Sequence, residues 1–175
     1  MIISAGNRET FSFARSVGVG LVEVAINLTR IALFERPKSF IFVGSAGSYG
    51  NLKPFDIIKT HTASNIENSF LMKKSYTPIN NFLTSVEDKE IVVNSSNYIT
   101  TDEILSKAYL KFGIDAENME FFAVMQVAKE FNIPVEGVFV VTNYCYKNAH
   151  NEYLENIEKA NKVLVNYLKN KGYII

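Results

Sequence analysis

Two stretches of this chain are apolar at almost every position: SFIFV, residues 39–43, and VEGVFVV, residues 135–141. Successive side chains of a strand point to opposite faces, so a strand wet on one side alternates apolar and polar residues. A run without that alternation fits a strand covered on both faces. Segments of helical spacing surround these runs. LVEVAINLTRIALFE sets Leu21, Val24, Ala25, Leu28, Ile31 and Ala32 on one stripe, and Pro37 ends it. TTDEILSKAYLKFG reads as a helix capped by Thr100 or Thr101, with Asp102 and Glu103 in its first turn and Gly113 at its end. MEFFAVMQVAKEFNIP runs from beside Asn118 to the residue before Pro134, and residues 150–172 form an amphipathic helix burying Leu154, Ile157, Val163, Leu164, Tyr167 and Leu168. Strands covered twice and alternating with helices predict an α/β sandwich around a mostly parallel or mixed sheet.

The remaining strand signals are shorter. MIIS is one, ETFSFARSV a second by the alternation of Phe11 and Phe13 with Ser12 and Ala14, FDIIKTHTASNI a third, and EIVVNSSNYI a fourth that runs into a polar turn. Residues 64–90 predict irregular strand and surface loop. At 175 residues the chain fits one domain, 1–175, with a proper core. Lys plus Arg and Asp plus Glu number 18 each, so no basic excess supports a nucleic-acid or membrane-surface partner. Cys145 is the lone cysteine, which rules out an intrachain disulfide and fits a cytoplasmic location; MIISAGNRET does not read as a signal peptide. His61, His150 and Cys145 are scattered, so no metal site is expected, and surface or packing roles suit both histidines.

In open α/β sheets ligands bind beyond the carboxyl ends of the strands. SAGN, GSAGS and TNYC fall there, with NSSNYI as a fourth segment. GSAGS, residues 44–48, offers main-chain N–H groups and two hydroxyls to an anion or a purine edge, or it is simply a tight strand exit. It is neither a Walker loop nor a dinucleotide fingerprint. Glu120 falls in the first turn of a helix, where the dipole favours an acid. Alternatively it points into a cleft and accepts hydrogen bonds from a vicinal diol. Asn143 can donate and accept at once, as a purine N7 and O6 edge requires, or it caps a turn. Tyr98 can stack on a base or pack at a strand end.

GVGLVEVAINLTRIALFERPKSFIFVGSAGSYGNLKPFDII resembles the central segment of the nucleoside phosphorylase/nucleosidase superfamily: a glycine-led helix, a strand, a Gly-Ser-Ala-Gly loop and then the strand Asp56-Ile57-Ile58, with Phe55 where glycine is usual. NSSNYITTDE and NMEFFAVMQVAKEFNIPVEGVFVVTN resemble the segments that follow in that superfamily. The resemblance spans most of residues 2–170 in the right order. It implies a three-layer α/β/α sandwich with a central mixed, partly closed sheet, a small-molecule nucleoside substrate, no cofactor and a homo-oligomer. It also implies Ser45, Ala46 and Gly47 along the ribose, phosphate and base region, Tyr98 stacked on the purine and Ile99 contacting it through its main chain. Met119 and Glu120 would hold the ribose, and Thr142 and Asn143 would address the base.

The superfamily divides by nucleophile. Phosphorylases need cationic or N–H-rich contacts to phosphate, which Gly6, Arg8 and Ser45 could supply; nucleosidases activate water with a glutamate, and Glu9 stands at that place. Arg8 and Glu9 read equally as surface charges on a turn. Phe42 replaces the arginine of hexameric phosphorylases, and Thr142-Asn143 replaces the Ser-Asp of nucleosidases. The hairpin usual after Glu9 is almost absent. The balance predicts phosphorolysis of a 6-oxopurine nucleoside, inorganic phosphate being co-substrate. Hydrolysis of a methylthioadenosine-type or futalosine-type nucleoside is the alternative, and a binding-only member of the family is a third.

Overall fold

The two doubly covered runs pair with each other at the centre of the sheet, from Phe40 opposite Val135 onward. The computed structural model describes residues 1–88 and 90–175; Lys89, inside the stretch expected to be irregular, lies outside them. In chain order the elements are β1 (Ile2–Ser4), β2 (Arg15–Ser16), α1 (Leu21–Glu35), β3 (Phe40–Ser48), β4 (Ile57–Thr60), β5 (Thr62–Ser64) and α2 (Asn68–Leu71). They continue with β6 (Phe82–Thr84), β7 (Val93–Ser95), α3 (Glu103–Lys111), β8 (Ala116–Asn118), α4 (Phe121–Glu130), β9 (Val135–Tyr144) and α5 (Ala149–Asn170).

β3 and β9 run parallel from Phe40 opposite Val135 to Ser48 opposite Tyr144, with one irregularity between Ala46 and Gly47. The other edge of β3 is shared. Its start pairs parallel with β1, and its end, at Gly47 and Ser48, pairs antiparallel with β8. From β8 the sheet continues through β7, β5 and β6, while β4 closes on β9 in antiparallel register. The sheet is therefore mixed.

Period-two alternation sorts the side chains of the central pair. Phe40, Phe42, Phe139 and Val141 pack with α1 and α4, including Leu28, Phe121 and Val124, on one face. Val43, Val138 and Val140 pack with Ala160, Leu164 and Leu168 of α5 on the other. Helices on both faces make the three-layer α/β/α sandwich that the family resemblance implies. Gly137 belongs to this packing: a Cβ there would lie 2.5 Å from the Phe139 ring and 2.7 Å from that of Phe121.

Several local readings differ from the structure. The expected strand 9–17 is reduced to Arg15 and Ser16. Phe11 and Phe13 instead stack on each other at 5.2 Å in a turn closed by Ala14 N–H to Phe11 O, their alternation coming from packing under α5. The long strand signal at 55–66 divides into β4 and β5 at His61. The irregular stretch 64–90 contains α2 and β6. Helix α3 is capped by Asp102, whose carboxylate accepts the Leu105 N–H at 2.9 Å, rather than by Thr100 or Thr101; Thr100 is turned inward to Glu117. AENMEFF is not a helix start throughout: Ala116–Asn118 is a strand, and the helix begins at Phe121.

The reading of GSAGS as a loop or strand exit is also corrected. Residues 44–48 continue β3 in hydrogen-bonded register with β9. Neither Gly44 nor Gly47 has a positive φ, so no turn demands them. Both are needed for close approach. A Cβ on Gly44 would lie 2.6 Å from Glu9 Oε2, and one on Gly47 would lie 2.8 Å from Cys145 Sγ and 3.1 Å from Asn143 Nδ2.

Candidate functional site

A cavity of about 220 Å³ opens at the carboxyl ends of β1, β3 and β9, and all the residues expected at a catalytic, substrate or phosphate position line it. The turn after β1 brings Gly6, Arg8 and Glu9. β3 brings Ser45, Ala46 and Gly47, β9 brings Thr142 and Asn143, and the junction of β8 with α4 brings Met119 and Glu120. Tyr98 and Ile99, 82% and 51% exposed, stand at the mouth.

Glu9 reaches the cavity because Gly6, at φ 103°, and Asn7, at φ 53°, turn the chain sharply after β1. The Glu9 N–H bonds back to Gly6 O at 2.9 Å. Its carboxylate is buried, accepts the main-chain N–H of Ser45 at 3.1 Å and also the Ser45 hydroxyl. Burial pushes its pKa up from 4.5 to about 7, against the lowering effect of the Ser45 bonds.

Glu120 occupies the N-cap of α4, but its side chain does not cap that helix. It accepts the Gly20 N–H at 3.0 Å, the Met119 N–H at 3.1 Å and Asn118 Nδ2 at 3.4 Å. Of the two readings open for it, Glu120 takes the inward one and is 6% exposed. Burial raises its pKa to about 7, the Gly20 bond opposes this, and the negative charge of Glu9 raises it further. Two carboxyl groups that repel across one cavity and titrate near neutrality match the requirements of acid–base chemistry at pH 7.

Asn143 is buried beside Gly47. Its Oδ1 accepts the Thr142 hydroxyl at 2.8 Å, and its Nδ2 donates to Tyr144 O at 3.2 Å, leaving one amide hydrogen unused. Arg8 is exposed, with its carbonyl fixed by Asn161 Nδ2 at 2.9 Å. Among the described residues no group of three or more His, Cys, Asp or Glu side chains could hold a metal ion, and no helix is long and apolar enough to cross a membrane.

A family model of the Phosphorylase superfamily matches residues 8–170. The chain belongs to that superfamily. Among curated proteins it is 24% identical over 143 residues to the DeoD-type purine nucleoside phosphorylase of Latilactobacillus sakei, a match covering 73% of this chain and 61% of that protein. Among solved structures it superposes on a Helicobacter pylori 5'-methylthioadenosine/S-adenosyl homocysteine nucleosidase at TM-score 0.81, 16% identity, covering 97% of this chain and 95% of that one. It also superposes on the Helicobacter pylori futalosine hydrolase at TM-score 0.79, 16% identity, 96% and 94% covered. At such identities these superpositions establish the fold.

In this member of the superfamily three further titratable residues line the cavity that were not among the candidates, Glu117, His150 and Tyr153. Glu117 lies on a strand too short to announce itself. His150 and Tyr153, one turn apart at the start of α5, read as the polar side of an amphipathic helix, yet both line the cavity. Burial, then the charge of Glu9, raises the Tyr153 phenol to about 12. His61 lies elsewhere, between Glu90 at 3.0 Å and Glu136 at 3.4 Å.

Proposed function

We propose that the protein cleaves the N-glycosidic bond of a purine nucleoside with water as the nucleophile and Glu9 as the general base. The observation that carries this reading is the seat of Glu9. Its carboxylate occupies the N–H and the hydroxyl of Ser45, the groups a phosphate ion would need on β3. A phosphate dianion beside two buried carboxylates would also meet repulsion in a site of low dielectric. A pKa of about 7 leaves Glu9 able to take a proton from water near neutral pH.

The other residues then have consistent tasks. Glu120, with Gly20 and Met119 holding its two oxygens, retains a lone pair on Oε1 for a ribose hydroxyl, and its negative charge favours the cationic sugar of the transition state. Tyr98 covers the base. The free amide hydrogen of Asn143 supports the charge that builds on the purine. The hydroxide part of water joins the sugar, and the proton taken by Glu9 returns to the base nitrogen, which balances the hydrolysis. The structural relatives that act on methylthioadenosine, S-adenosylhomocysteine and futalosine point the same way.

Phosphorolysis is the second reading. Arg8 lines the cavity, and the curated relative is a phosphorylase. Incubation with inosine, guanosine, adenosine and methylthioadenosine, with and without phosphate, separates the two. Base release independent of phosphate is the expected result. Release only with phosphate overturns it and assigns Arg8 to the anion.

A further inference from the structure

We propose that Glu117 is a positioning residue, whose carboxylate fixes residues 96–100 so that Tyr98 and Ile99 are set at the cavity mouth before substrate arrives. The task assigned to Tyr98 and Ile99 rests on the reading above; the anchoring itself does not. Glu117 is 6% exposed on β8, opposite Gly47 of β3. Among the described residues no cationic side chain pairs with it. A buried carboxylate without a counter-ion needs strong hydrogen bonds. Among the described residues three N–H or O–H donors reach it: the Tyr49 hydroxyl at 2.8 Å, the Thr100 N–H at 2.9 Å and the Thr100 hydroxyl at 2.7 Å.

Two of those three donors belong to one residue, and that residue ends the mouth segment. Thr100 is 4% exposed, whereas the two residues before it are 51% and 82% exposed. The other end of the segment is held by the next residue of the same strand, through Ser96 N–H to Asn118 O at 3.2 Å. Residues 97–99 therefore form a short bridge with both feet on adjacent positions of β8. The anchor is itself braced. The Tyr49 ring stacks on Tyr109 at 4.3 Å, and the Tyr109 hydroxyl donates to Ile66 O at 2.8 Å. A mouth segment ordered in advance spares the ligand the entropy of ordering it, so the benefit falls on binding.

The test compares Glu117→Ala with Glu117→Gln, whose amide oxygen can still accept the Thr100 N–H. In Glu117→Ala the KM for the best nucleoside should rise about tenfold with kcat within about twofold. Protection of the Thr100 amide against hydrogen exchange should also be lost. Glu117→Gln should restore both to near wild type. Thr100→Val, which deletes one donor only, should raise KM about threefold and serves if Glu117→Ala does not fold. An unchanged KM in folded Glu117→Ala, or in Thr100→Val where that variant stands in, would make the network purely structural. A collapse of kcat at constant KM would move Glu117 into the chemistry; either result overturns the proposal. The exchange measurement needs no substrate. If the wild type cleaves no nucleoside, persistent Thr100 protection in Glu117→Ala still refutes the anchor, while its loss, restored in Glu117→Gln, supports it.

Discussion

Replacing Glu9 by glutamine should stabilise the protein at high pH while abolishing its activity. The Glu9 carboxyl titrates at about 7 in the folded protein against 4.5 for the free group, because burial disfavours the charge. A raised carboxyl pKa means that the folded state holds the proton more tightly than the unfolded chain. The stability it contributes is fully present below pH 4.5, is lost as the pH rises through about 7, and stays lost above. At 1.36 kcal/mol per pH unit, the gap between those two values corresponds to about 3 kcal/mol. Glutamine carries no charge to bury, and its carbonyl can accept the Ser45 N–H. The charge-assisted bond from the Ser45 hydroxyl weakens, at a cost of about 1 kcal/mol. The net expectation at pH 8 is a gain of about 2 kcal/mol, or roughly 4–8 °C in Tm for a chain of this size. Near pH 4.5 the advantage should disappear. Urea unfolding of both proteins from pH 4.5 to 8.5 gives the difference curve directly. Wild-type turnover should rise through pH 7 as the carboxylate forms. Parallel stability curves for the two proteins would refute the buried, proton-retaining Glu9 on which the mechanism depends.

Gly44→Ala tests the same carboxylate from the opposite side. Its methyl group would meet Glu9 Oε2 at 2.6 Å, the movable end of a side chain, so stability should change by less than about 1 kcal/mol while turnover falls about a hundredfold. Normal activity in a folded Gly44→Ala variant would mean that the position of Glu9 does not matter. Cys145 is 1% exposed, and burial together with the nearby Glu117 charge pushes its thiol well up. It should resist an aromatic disulfide reagent in native buffer and react at once in denaturant; rapid native labelling would show that its packing against Tyr49 and Tyr109 opens.

Hydrophobic pattern was enough to place the frame. SFIFV and VEGVFVV lack a polar alternate and so require cover on both faces, and the stripes of α1, α4 and α5 supply it; these signals are local, carried by residues a few positions apart. The frame puts polar segments at strand ends, but the gathering of Glu9, Ser45, Glu120 and Asn143 was an expectation of the family resemblance. Pattern misled where the cause of a residue lies far along the chain. Gly44 and Gly47 look like turn residues, but they are glycines because Glu9, Cys145 and Asn143 need their space. Phe11 and Phe13 alternate like a strand because they stack in a turn. For Glu120 the pattern left a surface acid and a cleft residue both open, and the Gly20 N–H, a hundred residues earlier, shows it turned inward.

The sequence by itself therefore determined the α/β layering, the two doubly covered strands and the strand ends on which chemistry could gather, since periodicity and turn residues act within a few residues of one another; that those two strands pair in parallel at the centre came from the tertiary structure. Only the tertiary structure decided that two of the acids are buried together and titrate near 7, that Ser45 is taken by Glu9, and that Glu117 holds the mouth. Desolvation and hydrogen-bond saturation depend on every neighbour in space, and those neighbours come from all parts of the chain.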